Sequence, residues 1–244
     1  MIDIHCHILP GLDDGAKSME QALEMARMAV GDGIKIIVAT PHLFKNRIVN
    51  FKDLNDKKTI IQALILFREK LAEEGIDLEL LPGCDFPLSY EALQLLDDGE
   101  ALTINDSNHY LLLELPDTSL PPAIDDICFH LKSKGITPII THPERHFIIQ
   151  EMPQKLGRLM DLGCLVQMTG SSLTGGFGGS IRKLSRKLVK KGYIQVLATD
   201  SHNTSSRPPL LQAAVRELAG LVGESRAQDM VVTLPEKIIK GLPF

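Results

Sequence analysis

Nine side chains in this sequence could bind metal, and they come in short, spaced groups. His5 and His7 flank Cys6, so on an extended chain both imidazoles point the same way and can chelate one ion. Asp200-Ser201-His202 repeats that spacing with a carboxylate and an imidazole. Asp13-Asp14-Gly15 is by itself a turn signature, and Asp14 becomes a ligand candidate because it follows the two histidines closely. His42 after Pro41, Asp85 after Gly83-Cys84, Glu114 at the end of an apolar run, and His142 complete the set. Taken alone, His5 and His7 could be two surface histidines at a strand end. The set matters jointly, because such groups are rarely buried unless paired or metal-bound.

The donors are nitrogen and oxygen, with no convincing thiolate. That suits Mn, Fe or Zn and speaks against a Cys-rich structural zinc site. The set also exceeds what one ion needs, so two or three divalent ions bridged by carboxylates are implied. Multi-metal sites of this kind recur in phosphoester hydrolysis.

Such groups need a frame that brings distant segments to one rim. Short β-branched runs alternate with stretches of helical period along all 244 residues. Strands are expected at Ile2–His5, Ile34–Ala39, Leu78–Leu81, Tyr110–Leu113, Thr137–Thr141, Leu165–Gln167 and Ile194–Thr199. Ser18 with Gln21 forms a capping box, and Met19, Leu23, Ala26 and Val30 fall on one helical face, closed by Gly31 and Gly33. A long helix runs from about Asp53 to Glu74, closed by Gly75. Ala213, Val215, Leu218 and Leu221 read as the buried side of a late helix. Seven βα units with nearly all-apolar strands predict a parallel sheet covered by helices, closed into a distorted TIM-like (β/α)7 barrel, with an open doubly wound sheet as the alternative. Residues 1–244 are read as a single domain. Six of the seven strands then deliver an imidazole or a carboxylate to the C-terminal rim, where α/β barrels keep their active sites.

Composition narrows the field. A net charge of −5 offers no electrostatic footprint for nucleic acid. The basic run Arg182, Lys183, Arg186, Lys187, Lys190 and Lys191 has helical spacing and reads as a solvated helix face. Cys6, Cys84, Cys128 and Cys164 are scattered through apolar segments, which predicts buried thiols in a reducing, cytoplasmic setting. No basic-then-apolar leader and no apolar run of membrane-spanning length are seen, so no membrane insertion is expected. None of the four cysteines has an arginine six positions on, which removes the cysteine-dependent tyrosine phosphatase signature. Walker A and G-x-S-x-G patterns are absent. The run Gly175-Gly176-Phe177-Gly178-Gly179 precedes a helix and is read either as a phosphate loop or, preferably, as a mobile loop over the rim.

In order and spacing, H-x-H, D-D-G, T-P-H, L-L-L-E-L, T-H-P-E-R and D-S-H-N with a following R-P-P resemble the PHP (polymerase and histidinol phosphatase) family. The likeness is closest to the bacterial Mn-dependent protein-tyrosine phosphatases of capsule and exopolysaccharide assembly, and it covers essentially the whole chain. The resemblance implies a barrel holding three metals: one at His5, His7 and Asp200, one at Glu114 and His142, and a third at Asp14, His42 and His202. Where relatives carry a bridging glutamate this chain has Asp85, one methylene shorter. The resemblance places Arg145 and Arg207 on the phosphate, as forks matching its oxygens. The competing readings are an ion pair of Arg145 with Glu144 and a helix-start role for Arg207. It further implies in-line attack by metal-bound hydroxide, with Asp200 or His202 relaying a proton, on a phosphotyrosyl protein such as a bacterial tyrosine kinase tail. Rival readings are a histidinol-phosphate or other small-molecule phosphatase, a phosphodiesterase, and a metal-binding regulatory module weakened by Asp85.

Overall fold

The computed structural model describes residues 1–43, 55–88, 90–116 and 118–244. Eight parallel strands appear among them. β1 (Ile2–Cys6), β2 (Ile36–Ala39) and β3 (Glu79–Pro82) form one sheet. β4 (Asp85–Pro87), β5 (Tyr110–Glu114), β6 (Thr137–Thr141), β7 (Leu165–Thr169) and β8 (Val196–Ala198) form the other. Two parallel bridges stitch the sheets together, Cys6 to Ser201 and His42 to Asp85. Closure therefore runs through residues at or just beyond strand ends, at the rim that carries the candidate ligands.

The helices follow the strands. α1 (Met19–Gly31) and α2 (Lys57–Glu73) fill the first half, and α3 (Tyr90–Asp97) and α4 (Ile124–Ser133) come next. Then follow α5 (Phe147–Glu151), α6 (Gln154–Asp161), α7 (Gly170–Thr174), α8 (Gly179–Lys190), α9 (Gln212–Val222), α10 (Glu224–Gln228) and α11 (Leu234–Ile239). Strand periodicity explains the packing. Val38, Tyr110, Leu112, Ile139, Leu165, Val196 and Ala198 share one buried cluster. The alternate residues Ile37, Leu111, Leu113, Ile140, Val166, Met168 and Leu197 join the larger cluster that contains the helices' apolar residues. Stepping by two from the first cluster reaches His42, Glu114, Thr141, Gln167 and Asp200. Each of these strands thus turns from apolar to polar on one side as it nears the rim.

The expected barrel is present, with one change in its strands. The third unit breaks at Gly83-Cys84, so Asp85 opens a short fourth strand instead of closing the third. The reason is pairing: Asp85 bonds through its backbone to Pro41 and Leu43 beyond β2, while Phe86 faces Leu113 of β5. The capping box is half formed. Ser18 Oγ accepts from Gln21 N at 3.3 Å, but Gln21 Oε1 accepts from Lys17 N at 2.7 Å. The α2 cap is Asp56, whereas Asp53 lies outside the described residues. In α9 Leu218 is buried and Val215 and Leu221 pack partly buried against the core as expected, while Ala214 is buried in place of Ala213, which is exposed.

The α8 cations do line a solvated face, with Arg182 and Arg186 reaching Glu217 on α9. All four cysteines are buried and free. Among the described residues no helix is long and apolar enough to cross a membrane. β1 is stitched to the closing strand by Asp3, a fully buried carboxylate that accepts from Thr199 N at 2.9 Å and from Thr199 Oγ1 at 2.5 Å. Burial pushes its carboxyl up to about 6, against the opposing pull of those hydrogen bonds.

Candidate metal centre

Two of the candidate ligands sit on unusual backbone. His142 and Asp200 have φ of 34° and 50°, in the left-handed region that non-glycine residues seldom adopt. Both follow strand ends and are held by rim hydrogen bonds: His142 N donates to Gln167 O at 2.9 Å and Asp200 N to His5 O at 2.8 Å. Strain of this kind persists where the surroundings over-determine it, commonly at functional sites.

The side chains converge. His5 Nε2 and His7 Nε2 lie 3.2 Å apart, and each is 3.5 Å from Asp200 Oδ1. Asp14 Oδ1 is 3.4 Å from His42 Nε2 and 3.7 Å from His202 Nε2. Asp85 Oδ2 stands at the middle, 3.4 Å from His42 Nδ1, 3.6 Å from His5 Nε2 and 4.0 Å from His142 Nε2. Glu114 reaches His42 Nδ1 at 3.3 Å and His142 Nε2 at 3.8 Å. Donors about 2.1 Å from a common ion are separated from each other by roughly 3.0–3.5 Å, which matches most of these spacings.

Ligand atoms within 4.8 Å of one another fall into four overlapping groups among the described residues: His7, Asp14, His42, His202; His5, His7, Asp200; His5, Asp85, His142; and His42, Asp85, Glu114. Their union is the nine residues picked out from the sequence. The donor chemistry fits divalent cations in a second respect. Asp85 Oδ2 is buried and accepts no hydrogen bond, although three imidazoles surround it. Leaving a buried carboxylate oxygen so placed is costly unless a cation satisfies it.

Electrostatics divides the imidazoles. Burial disfavours charge on His5 and His42, yet the carboxylates around them win and lift the two rings to about 9 and about 10. For His202, burial with help from His7 and Arg207 lowers the ring to about 3. His142 is also held well below its ordinary value, by burial and by Arg145. Asp200 is buried, but the positive charge of His5 and Arg145 keeps its carboxyl well below the usual range. The carboxylates around His5 and His42 thus favour the protonated form of those two rings.

Arg145 and Arg207 meet at this cage. Their Nη2 atoms donate to the same oxygen, Asp200 Oδ2, at 2.5 and 2.6 Å, while Oδ1 faces the His5–His7 pair. Each keeps a buried Nε–H with no hydrogen-bond partner. Arg145 is not paired with Glu144. Glu144 is buried, accepting from Ser172 Oγ at 2.6 Å and Thr169 N at 3.1 Å. Arg207 precedes α9 by several residues and starts no helix. A pocket of about 320 Å³ opens over both arginines and the cage, with Leu115 as its one aliphatic wall among the described residues. A larger groove of about 670 Å³ follows the basic face of α8 and includes none of these groups.

Two supporting residues were not singled out from the sequence. Asp13, not its neighbour, accepts from His7 Nδ1 at 2.7 Å, from His42 N at 2.9 Å and from Gly15 N at 2.8 Å. Burial opposes its charge, but His7 and these donors hold it well below the ordinary carboxylate range. The turn is tight because a Cβ on Gly15 would fall 2.2 Å from His7 O. Gln167 Oε1 faces His5 Nδ1 at 3.0 Å. Fixing the far nitrogen of a ligating histidine is the usual second partner in a metal site, so a carboxylate soon after H-x-H was the signal for Asp13. His146 lines the pocket over the cage without joining the ligand groups, and its Nε2 meets Pro116 O at 2.8 Å.

The profile of the capsular polysaccharide synthesis CpsB/CapC family matches residues 1–240. The chain belongs to the CpsB/CapC family. Tyrosine-protein phosphatase YwqE of Bacillus subtilis is 38% identical over 207 residues, 85% of this chain and 79% of the relative. Tyrosine-protein phosphatase CpsB of Streptococcus pneumoniae is 31% identical over 244 residues, 98% of each. A solved structure from work on YwqE and CpsB, described as unique metal-dependent tyrosine phosphatases, superposes with a TM-score of 0.94 at 35% identity, covering 100% of this chain and 96% of the other. The resemblance read from the motifs is thereby borne out. Dihydropyrimidinase from Brevibacillus agri shares the fold alone, with a TM-score of 0.57 at 11% identity over 99% of this chain and 71% of that one.

Proposed function

We propose that this CpsB/CapC chain is a metal-dependent protein-tyrosine phosphatase acting on a tyrosine autokinase of exopolysaccharide or capsule synthesis, with two or three manganese ions in the cage. The observation that carries this reading is the single rim where nine nitrogen and oxygen ligands meet two arginines that converge on one carboxylate oxygen. Divalent ions bound there supply an activated water and positive charge for the phosphoryl oxygens.

In the proposed division, His5, His7 and Asp200 hold one ion, Glu114 and His142 a second, and Asp14, His42 and His202 a third. Asp85 lies between the first two groups. Arg145 and Arg207 exchange part of their hold on Asp200 for phosphoryl oxygens, orienting the ester and offsetting charge that grows in the transition state. Asp200 or His202, both beside the arginines, is the proposed proton relay. The leaving tyrosinate has a pKa of about 10, so it asks for less acid assistance than an alkoxide. We take residues 1–244 as one domain working in the cytoplasm, a setting that suits four buried free thiols.

Chelation followed by metal restoration tests the reading. Activity on p-nitrophenyl phosphate should vanish with a chelator and return with Mn²⁺. The kcat/KM for a phosphotyrosyl peptide should exceed that for histidinol phosphate or a dinucleotide by at least about tenfold. Turnover that survives complete metal removal, or a preference for histidinol phosphate, would overturn it.

A further inference from the structure

The pocket over the cage is polar almost throughout, yet a phosphotyrosyl substrate brings an aromatic ring that must leave water as the phosphate enters. Leu115 lines only part of that pocket. The glycine-rich run after α7 does not line the pocket itself, but it places an aromatic surface beside it, on Arg145. It is a hydrogen-bonded turn: Gly175 N and Gly176 N both donate to Ser171 O, at 3.0 and 2.7 Å, and Gly178 N donates to Gly175 O at 3.0 Å. Gly175 and Gly178 take φ of 100° and 93°, and a Cβ on Gly176 would lie 3.1 Å from Ser171 Cβ. The turn therefore disfavours side chains at three positions, by backbone conformation at Gly175 and Gly178 and by close packing at Gly176, and displays one, Phe177.

Phe177 lies over the Arg145 guanidinium, 4.8 Å from Cζ to the ring centroid, and is half-buried. The same short segment anchors the turn twice. Glu144 holds the start of α7 through Ser172 and Thr169, and Arg145 holds Phe177. An aromatic face tied to a phosphate-gripping arginine sits one guanidinium away from where the phosphoryl group would bind.

Resting on the phosphatase reading above, we propose that Phe177 is the wall against which the aryl leaving group of the substrate packs, and so a determinant of selectivity for tyrosyl over alkyl phosphoesters. Aromatic pairs prefer offset or edge-to-face contact, and the exposed part of the Phe177 ring leaves room for one. Stacking on Arg145 by cation attraction fixes the wall relative to the phosphate.

The Mn-loaded full chain, wild type and with Phe177→Ala and Phe177→Tyr, is titrated calorimetrically with benzylphosphonate and with ethylphosphonate. Phe177→Ala should weaken benzylphosphonate about three- to tenfold and leave ethylphosphonate within about twofold, while Phe177→Tyr restores wild-type binding. KM for a phosphotyrosyl peptide should rise by a similar factor with kcat little changed, as for lost uniform binding. Equal weakening of both phosphonates would mean that Phe177 works only through Arg145, and no weakening would mean that the ring meets no substrate; either overturns the wall. A wild-type protein that binds neither phosphonate and cleaves no phosphotyrosyl peptide would overturn the phosphatase reading, and the wall with it.

Discussion

Replacing Asp200 by asparagine is expected to lower kcat at least about a thousandfold while the barrel stays folded. The carboxylate has two jobs: Oδ1 is 3.5 Å from both His5 and His7, and Oδ2 is the shared acceptor of Arg145 and Arg207. Asparagine keeps the shape, tolerates the left-handed backbone at φ 50° and retains the N–H that reaches His5 O at 2.8 Å. It removes the charge and puts either an amide oxygen or an NH2 toward the histidines. Metal content measured beside activity should fall with it. Circular dichroism identical to wild type together with near-normal turnover would remove Asp200 from the site.

The arginines should show a different signature. Arg145→Ala or Arg207→Ala is expected to cost roughly 10²–10³-fold in kcat/KM with metal content unchanged, because neither guanidinium is a ligand. Lysine at either position should recover little, since a single ammonium cannot reproduce the fork that matches phosphate oxygens. Each arginine also keeps a buried Nε–H without a partner, a donor that phosphate would satisfy. Inorganic phosphate should therefore inhibit both variants more weakly than wild type. A variant with lost activity but wild-type phosphate inhibition would assign that arginine to holding Asp200 alone.

How far the sequence could be read followed from periodicity and from what ended each strand. Six apolar runs ended at or close to a ligand candidate, and because parallel barrel strands share one direction, those ends had to share one rim. The break at Gly83-Cys84 was not legible, because it depends on Asp85 pairing with the chain beyond β2, a contact of long range. Asp13 was hidden by its neighbour: Asp-Asp-Gly gives two carboxylates, and only the fold turns Asp13 inward to His7 and leaves Asp14 at the mouth. Gln167 was silent and Glu144 was read only as an ion-pair partner for Arg145, since a buried amide or carboxylate owes its role to partners on other segments, His5 for one and Ser172 with Thr169 for the other. The glycine-rich run was noticed, but composition could not distinguish a free loop from a turn built to present Phe177.

The test that reaches deepest is anomalous diffraction from crystals of the protein grown with Mn²⁺. Two or three strong peaks should appear, each bounded by donors drawn from the nine candidate residues, with Asp85 touching more than one. Peaks elsewhere with that rim left empty, or His5, His42 and Glu114 turned toward different parts of the molecule, would contradict the account at its root.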